Sequence, residues 1–355
     1  MLPLRHKAQA QAAPYTRPAT FGPTAIAGES ARTHTMDHYA RSLRNTFTGD
    51  SLNRASRRRR DTQWLASRQE DETTRFVPLW KSRNLFAGDS FLQPVLLSPY
   101  QAREHLPEAE SITFLGVRDG NAMFAVGLSS PDDTPPPDLE QLGQFHDLRQ
   151  VAALLEGQDS ALLACARAMT YWHRRHRFCG DCGSLTVSAE GGHLRICASE
   201  SCRQRHFPRT DPAIIVLVTS GEHCLMGRKP MWPTGRHSTI AGFVEPGESI
   251  EDAVVREVHE ETGVRVREMR YHSSQPWPFP TSLMLGFTAR AHRDPIRVDQ
   301  DELEHAHWIT RGELEHGLRR GTLGLPPSVS VSYRLIEDWF DAGSAVPLRE
   351  IDPVL

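Results

Sequence analysis

Two glutamates, Glu257 and Glu261, lie one helical turn apart in a stretch whose apolar residues recur with helical spacing. The apolar residues of this predicted helix are Ile250, Ala253, Val254 and Val258. On a helical wheel the two glutamates project from the middle of that apolar stripe, where a solvated helix would not carry charge. Because burying unpaired carboxylates is costly, we expect a cation to meet them, and clustered oxygen ligands suit Mg²⁺ or Mn²⁺.

The sequence also marks both ends of this helix. Pro246 and Gly247 predict a turn before it, and Ser249 with Asp252 is typical of a capped helix start. Gly263 suits the left-handed backbone position just past a helix end. An ordinary glutamate-rich surface helix is the alternative, and the fixed spacing of the whole stretch argues against it.

The stretch 242–264 resembles the Nudix box at nine constrained positions, which include a glycine at each end, an Arg-Glu pair and a Glu-Glu pair. The resemblance implies an α/β fold, an α/β/α sandwich in which this helix carries the metals that cleave a diphosphate linked to another moiety. The catalytic residues that it implies are Arg256, Glu257, Glu260 and Glu261. Among these, Glu257 and Glu261 are metal ligands, Glu260 is a further ligand or the base, and Arg256 orients the carboxylates.

Two further metal contacts follow from the same resemblance. Glu302 lies in an acidic turn, six residues before Trp308, where the family has another metal-binding glutamate. Ala241, just before the box, would offer its backbone carbonyl to the metal. The nature of the second substituent on the diphosphate does not follow from the box.

Two cysteine pairs, Cys179 with Cys182 and Cys197 with Cys202, precede the box. Each pair can supply two thiolates from one tight turn, and four thiolates close a tetrahedral Zn²⁺ site that leaves no position for water. The zinc would therefore be structural. A redox dithiol is the alternative.

The order of zinc ribbon and Nudix box resembles the NADH pyrophosphatase branch of the Nudix hydrolases, over residues 149–339. Members of this branch cleave NAD(H) into nicotinamide mononucleotide and AMP, and bacterial members are described as removing NAD caps from RNA. The resemblance also implies a homodimer.

A proline-rich segment, 274–282, follows the box. Prolines at alternate positions exclude a regular helix and remove amide donors from a sheet, so we predict a stiff loop. Trp277 and Phe279 would offer flat faces to a base or a nicotinamide ring, whereas a proline-stiffened core plug is the alternative. The segment resembles the signature that distinguishes NADH pyrophosphatases from other Nudix hydrolases. The substrate-binding residues so implied are Gln275, Pro276, Trp277, Pro278, Phe279, Pro280, Thr281 and Ser282.

Three more substrate contacts are implied by resemblance alone. Arg149 matches a substrate arginine that could neutralise a phosphate. Phe207 replaces a tyrosine, so it keeps a ring for stacking and loses a hydroxyl. Ser332 lies where the family has a small residue that contacts substrate.

Composition restricts the remaining possibilities. The chain has 355 residues, of which 39% are apolar, enough for a core and two domains plus a tail. A net charge of −3 gives no overall nucleic-acid signature. The sequence has no apolar run of about 18 residues, which argues against a transmembrane helix, and no signal-peptide pattern opens it. We expect a cytoplasmic protein with no membrane partner.

The domain boundaries follow from shifts in composition. Residues 1–60 are predicted to be a disordered or poorly ordered tail, with Met36 as an alternative start. A small α+β domain is predicted over 61–177, the zinc ribbon over 178–208 and the Nudix domain over 209–345. Within the α+β domain we predict a hairpin over residues 111–128 and a helical region over 148–176 that breaks near Gly157.

Three functions remain open at this point. Hydrolysis of NAD(H), and of NAD caps on RNA, is favoured by the segment after the box. Hydrolysis of ADP-ribose or another nucleoside diphosphate derivative is the alternative among enzymes. A catalytically silent, nucleotide-sensing regulator that binds nucleic acid is the alternative of another class, and such a protein should lack one or more box carboxylates, all of which this chain retains.

Overall fold

A computed structural model of the chain describes residues 37–49, 52–88, 91–129, 132–155 and 157–352. The predicted disorder of residues 1–36, and the choice of Met36 as a start, lie outside these ranges. Within them, no helix has the length and apolar character needed to cross a membrane.

The first part of the chain forms a sheet with one long helix packed on it. Its strands are β1 (Arg75–Trp80), β2 (Arg83–Ala87), β3 (Gln93–Pro94), β4 (Ser111–Arg118), β5 (Asn121–Leu128) and β6 (Gln144–Asp147). Its helices are α1 (Asp37–Leu43), α2 (Thr62–Glu70), α3 (Pro99–Ala102), α4 (Pro137–Glu140), α5 (Leu148–Val151) and α6 (Gly157–Arg175). The strand order is β3-β2-β1-β5-β4, and β6 pairs with β2. The predicted hairpin corresponds to β4 and β5, and the helical region does break before Gly157.

The predicted tail was extended too far, because residues 37–49 are ordered by specific anchors. Phe47 is only 2% exposed and belongs to the core beneath α6. The Asn45 side-chain amide donates to the Ser274 carbonyl at 2.9 Å. The Arg44 guanidinium lies 3.1 Å from the Glu337 carboxylate. Since these anchors are single residues in a polar segment, they leave no periodic pattern in the sequence.

A small three-stranded sheet follows, in the order β7-β8-β9. Its strands are β7 (Thr186–Ala189), β8 (Leu194–Cys197) and β9 (Arg205–His206). Two of the four clustered cysteines precede β7, and the other two lie at the end of β8 and in the turn before β9. This arrangement brings both cysteine pairs to one end of the small sheet.

The remaining residues form a sheet between helices. Its strands are β10 (Asp211–Ser220), β11 (His223–Arg228), β12 (Ile240–Phe243), β13 (Val266–Trp277), β14 (Ser282–Ala291) and β15 (His305–Thr310). Its helices are α7 (Ile250–Thr262), α8 (Arg311–Arg319), α9 (Val331–Asp341) and α10 (Leu348–Ile351). The strand order is β13-β14-β10-β11-β15, with β12 paired to β10.

Strand β10 is buried on both faces, which explains its continuous apolar sequence. Ile214 and Val216 share a core with Val254 of α7. Ile215, on the opposite face, shares a core with Phe340 of α9. The chain therefore forms the predicted α/β/α sandwich, with α7 on one face of the sheet.

The sandwich extends beyond its predicted end at residue 345. Leu348 and Ile351 of α10 are buried in the core beside α9. Only a short helix lies there, and four residues are too few for a periodic pattern to be recognised.

Candidate active site

Helix α7 begins and ends where the sequence predicts. The Ser249 hydroxyl accepts a hydrogen bond from the Asp252 amide at 3.1 Å, and Gly263 has a left-handed φ of 72°. These caps fix the register of α7, which turns Glu257 and Glu261 toward the sheet together with the apolar stripe. Only 8% of Glu257 and 2% of Glu261 is exposed.

A third carboxylate reaches the two on α7 from a distant turn. Ligand oxygens of Glu257, Glu261 and Glu302 lie within 4.8 Å of one another. The turn that carries Glu302 is fastened to α7, because the Asp299 amide donates to the Glu261 carbonyl at 3.2 Å. Thus the metal ligands expected from resemblance are brought together by backbone contacts.

The electrostatics of this cluster favour a bound cation. Burial raises the pKa of Glu257, although Arg256 opposes the rise. Burial raises the pKa of Glu261 to about 8; Lys229 opposes this shift, and Glu302 and Glu257 reinforce it. One buried oxygen of Glu261, Oε1, has no hydrogen-bond partner among the described residues. Such an orphaned oxygen within a carboxylate cluster fits a divalent metal ion.

Gly242 makes room for the cluster. A Cβ atom at this position of β12 would overlap the carboxylate of Glu257. A glycine is therefore needed at this position, because any larger residue would displace Glu257, a predicted metal ligand.

Arg256 organises the carboxylates beside the cluster. Its guanidinium donates to both carboxylate oxygens of Glu248 at 2.7 and 2.9 Å, and lies 2.9 Å from Glu257. It also donates to Glu260 at 3.1 Å. The Glu260 side chain is 59% exposed and lies outside the three-carboxylate cluster. This geometry favours a positioning role for Arg256 and leaves Glu260 at the rim.

A cavity of about 320 Å³ opens beside the cluster. Ala241 and Glu261 line one part of it, and Trp277 lines another. Most of the other lining residues were not predicted, among them Trp232 and Lys229, whose Nζ lies 3.8 Å from Glu261 Oε1. Both residues follow β11 in an irregular segment. The only sequence feature that could have indicated them is the position of Lys229 directly after a buried strand.

We expected the proline-rich segment to be a loop, but only part of it is. Strand β13 continues through Trp277 and pairs with β14 up to Ser282, so only residues 278–281 form a turn. The reason is that β13 lies at the edge of its sheet, where a proline without an N–H can be accommodated. Gln275 consequently lines the cavity, Pro276 lines a larger neighbouring groove, and Trp277 lines both.

Trp277 and Phe279 differ in how far they are available to a ligand. Trp277 lines the cavity, and its ring meets Phe279 edge to face at 5.1 Å. The guanidinium groups of Arg149 and Arg167 each lie 4.6 Å from the Phe279 ring centre, and Phe47 contacts it edge to face at 5.8 Å. Trp277 also contacts Phe47 and Arg149, but of the two rings only Trp277 lines the cavity, so Trp277 is the better stacking surface. The structure also brings Arg149 to this hairpin.

Three of the predicted substrate-binding residues, Gln275, Thr281 and Ser332, form hydrogen bonds within the protein. The Gln275 side chain donates to the carbonyls of Thr46 and Val329, and accepts from the Val331 amide. The Thr281 hydroxyl donates to Asp211 at 2.9 Å. These bonds indicate that Gln275 and Thr281 hold the hairpin in place.

Ser332 is likewise 1% exposed and lies behind the cavity wall. Its hydroxyl is 2.8 Å from the hydroxyl groups of both Ser238 and Thr239, which line the cavity. It therefore supports the wall that a substrate would touch.

The remaining residues of the proposed substrate site lie elsewhere. Pro276, Pro278 and Ser282 line a larger groove beside the hairpin, which Trp277 and Thr281 also line, and Pro280 is exposed at the tip of the hairpin. Phe207 is 62% exposed beside Arg205 and, among the described residues, does not line the catalytic cavity.

The four predicted zinc ligands converge. Their sulfur atoms all lie within 4.8 Å of one another. The Cys182–Cys197 and Cys179–Cys202 sulfur separations are 3.4 and 3.8 Å, far longer than a disulfide. A cluster of four free thiols is the donor set of a structural zinc site.

Comparisons with known families agree with this architecture. The model of the NUDIX domain matches residues 209–326, and the model of the NADH pyrophosphatase-like rudimentary NUDIX domain matches residues 67–172. The NADH pyrophosphatase zinc ribbon domain matches residues 174–207. The chain belongs to the Nudix hydrolase family.

Its relatives narrow the assignment. The chain is 34% identical to the NAD-capped RNA hydrolase NUDT12 of Homo sapiens over 83% of this chain and 73% of that protein. It is 32% identical to an NAD-capped RNA hydrolase of Schizosaccharomyces pombe over 82% of this chain and 93% of that protein. It is 41% identical to the NAD-capped RNA hydrolase NudC of Pseudomonas syringae over 59% of this chain and 71% of that protein. Within the family, the chain falls in the branch of NADH pyrophosphatases and NAD-capped RNA hydrolases.

Proposed function

We propose that the protein hydrolyses the diphosphate of NAD(H) to nicotinamide mononucleotide and AMP, and removes NAD caps from RNA 5′ ends. The observation that carries this proposal is a cluster of three carboxylates, one of which, Glu261, lines a cavity that Trp277 also lines. The names of the relatives support the same substrates. The reaction adds one water across a phosphoanhydride bond, so a cap yields nicotinamide mononucleotide and RNA with a 5′ monophosphate.

Glu257, Glu261 and Glu302, together with the backbone carbonyl of Ala241, would hold two or three Mg²⁺ or Mn²⁺ ions. These ions would neutralise the diphosphate and acidify a bound water.

 Lys229, next to this cluster, would pair with a phosphate oxygen once the ions occupy the carboxylates. Arg256 would keep the Glu257 carboxylate oriented toward the ions through its contact with Glu248. Glu260 remains our candidate for a further ligand or for the base that receives the proton of the attacking water.

The proposed specificity rests on the two-ring character of NAD(H). Trp277 offers a flat face to the nicotinamide or adenine ring, and stacking is worth roughly 0.5–1.5 kcal/mol beyond burial. ADP-ribose lacks the nicotinamide ring and would lose that contact. Arg149, which packs on the same hairpin, would supply positive charge toward a phosphate.

The test compares NAD(H), NAD-capped RNA and ADP-ribose as substrates with Mg²⁺ or Mn²⁺ present. We expect NAD(H) to have the higher kcat/KM, with nicotinamide mononucleotide and AMP as products and no free nicotinamide. Trp277→Ala should lower kcat/KM for NAD(H) more than for ADP-ribose, while Trp277→Phe, which keeps a ring, should retain part of the preference. Equal loss on both substrates would instead support a general nucleoside diphosphate hydrolase.

The silent regulator is disfavoured because a sensor has no need of three converging carboxylates, two of them buried. If the wild-type protein bound NAD(H) but did not hydrolyse it, the regulator would become the favoured function. Measuring binding and turnover on the same preparation separates the two functions.

We also propose that the cysteine cluster holds one structural Zn²⁺ and that the protein is a cytoplasmic homodimer. The donor set supports the zinc, the family resemblance supports the dimer, and a sequence without a long apolar run supports the location. A groove of about 760 Å³ beside α1 and β13, lined in part by the exposed rings of Tyr39 and Tyr271, offers an apolar surface to a second copy. Elemental analysis, light scattering and microscopy of a labelled chain test the three proposals separately.

A further inference from the structure

Three histidines meet outside the carboxylate and cysteine clusters. His305 and His307 alternate along β15, so both side chains lie on one face of the strand. His237, in the segment between β11 and β12, completes the group, and the three residues have ring nitrogens within 4.8 Å of one another. The ring centres of His237 and His307 are 4.8 Å apart, and those of His305 and His307 are 5.0 Å apart.

The group is separated from the catalytic carboxylates by the sheet. Ala306 and Trp308, the neighbours of His307 on β15, pack in the core under α7. Ile309 packs in the core on the opposite face, with α9. Because side chains alternate along a strand, His305 and His307 lie on the α9 side.

His237 is already oriented in the way that metal-binding histidines are. Its Nδ1 lies 2.8 Å from the Gly235 carbonyl, which can only accept, so Nδ1 carries the hydrogen and donates it. In the neutral ring, Nε2 then holds a free lone pair. A backbone carbonyl that fixes the tautomer of a histidine is a common second partner of a metal ligand.

His307 has a ring nitrogen that is available to a metal ion. Its Nδ1 is buried and has no hydrogen-bond partner in the described part of the chain. Burial, together with His237 and His305, lowers the pKa of His307 to about 4. His305 is exposed and can rotate toward the other two rings.

We propose that His237, His305 and His307 form an accessory transition-metal site of the Zn²⁺ type. Three imidazoles match the ligand preference of Zn²⁺, and they leave a fourth position for water or a small anion. Zinc–nitrogen bonds of about 2.0–2.1 Å need closer nitrogens than 4.8 Å, so the rings must draw together by small rotations.

The site would restrain a segment that reaches the catalytic cavity. His237 lies near the end of the connection from β11 to β12, and Lys229 and Trp232 of the same connection line that cavity. Arg228 already holds its first part, donating to the Trp232 carbonyl at 2.9 Å and lying 3.0 Å from Glu304. A metal at the histidines would fix the second part to β15.

The test titrates the full chain, free of any histidine tag, with Zn²⁺ in saturating Mg²⁺, which keeps the carboxylate cluster occupied. We expect one equivalent beyond the zinc held by the cysteines. His305→Gln should weaken this second binding by about a hundredfold or more, since even partners of ligands contribute 10–100-fold to metal affinity. His307→Gln is a second variant, and His292→Gln, which removes an exposed histidine elsewhere, is the matched control.

A second readout follows the restrained segment itself. Zn²⁺ should slow tryptic cleavage after Arg236 in the wild type and in His292→Gln, but not in His305→Gln. The proposal is overturned if the wild type takes up only the cysteine-bound zinc, or if both His305→Gln and His307→Gln keep the second equivalent at unchanged affinity.

Discussion

Replacing Glu261 by glutamine should have opposite effects on activity and on the stability of the protein without Mg²⁺ or Mn²⁺. The carboxylate of Glu261 is 2% exposed, and burial raises its pKa to about 8. Since its ordinary pKa is 4.5, the folded state favours the protonated acid. The unfolded chain therefore releases its proton first as pH rises, and the wild type loses stability between about pH 4.5 and pH 8.

The magnitude follows from the two pKa values. Each tenfold change in an acidity constant is worth about 1.4 kcal/mol, so the ionised Glu261 destabilises the fold by at most about 5 kcal/mol. Local relaxation and Lys229, 3.8 Å away, reduce this figure, and we expect about 1–3 kcal/mol at pH 9. Glu261→Gln removes the titrating group, so its advantage over the wild type should be small near pH 5 and grow toward pH 9.

The assay is thermal unfolding of both proteins from pH 5 to pH 9, with and without Mg²⁺, after gel filtration that leaves the cysteine-bound zinc in place. Mg²⁺ should stabilise the wild type by binding its carboxylates and should reverse the order of the two melting temperatures. Turnover of Glu261→Gln should fall by about a hundredfold or more. If the glutamine variant is the less stable protein at pH 9 without Mg²⁺, or keeps wild-type turnover, the metal-site reasoning is wrong.

Three further predictions concern other parts of the molecule. Gly242→Ala should lower turnover about as much as Glu257→Gln with little change in melting temperature, because the new Cβ displaces the Glu257 carboxylate; steady-state kinetics and thermal unfolding check this together. Gln275→Met should lower the free energy of unfolding by about 2–5 kcal/mol in urea titrations, since it leaves three buried backbone groups without their side-chain partner. Cys202→Ser should reduce bound zinc in elemental analysis and lower the melting temperature, and an unchanged zinc content would contradict the four-thiolate site.

The parts of the site that could be predicted are those encoded locally. Helix α7 follows from a capping serine, an apolar period and a terminal glycine, all within one short stretch. The position of Glu257 and Glu261 on its buried face follows from the same period. The four cysteines could be grouped because their spacing alone is typical of a metal ligand set.

The parts that could not be predicted depend on contacts between distant segments. Lys229 reaches Glu261 only because β11 ends beside α7, and no local pattern marks a lysine in an irregular segment. Asn45 fixes the segment after α1 through a bond to Ser274, more than two hundred residues away. The proline rule failed at β13 because it assumes an interior strand, whereas β13 lies at the sheet edge.

The packing around Phe279 has a consequence for how this enzyme could change. The three carboxylates proposed to hold the metal ions lie on α7 and in the turn before β15. Arg149 and Arg167, which contact the ring of Phe279, come instead from the α+β domain. Phe47, from the segment after α1, contacts both Phe279 and Trp277. Substitutions in these supporting residues can shift or loosen the hairpin without touching a metal ligand. Mutations can therefore change substrate preference without changing the metal ligands. New dinucleotide substrates could be acquired in this way while the residues proposed for hydrolysis stay the same.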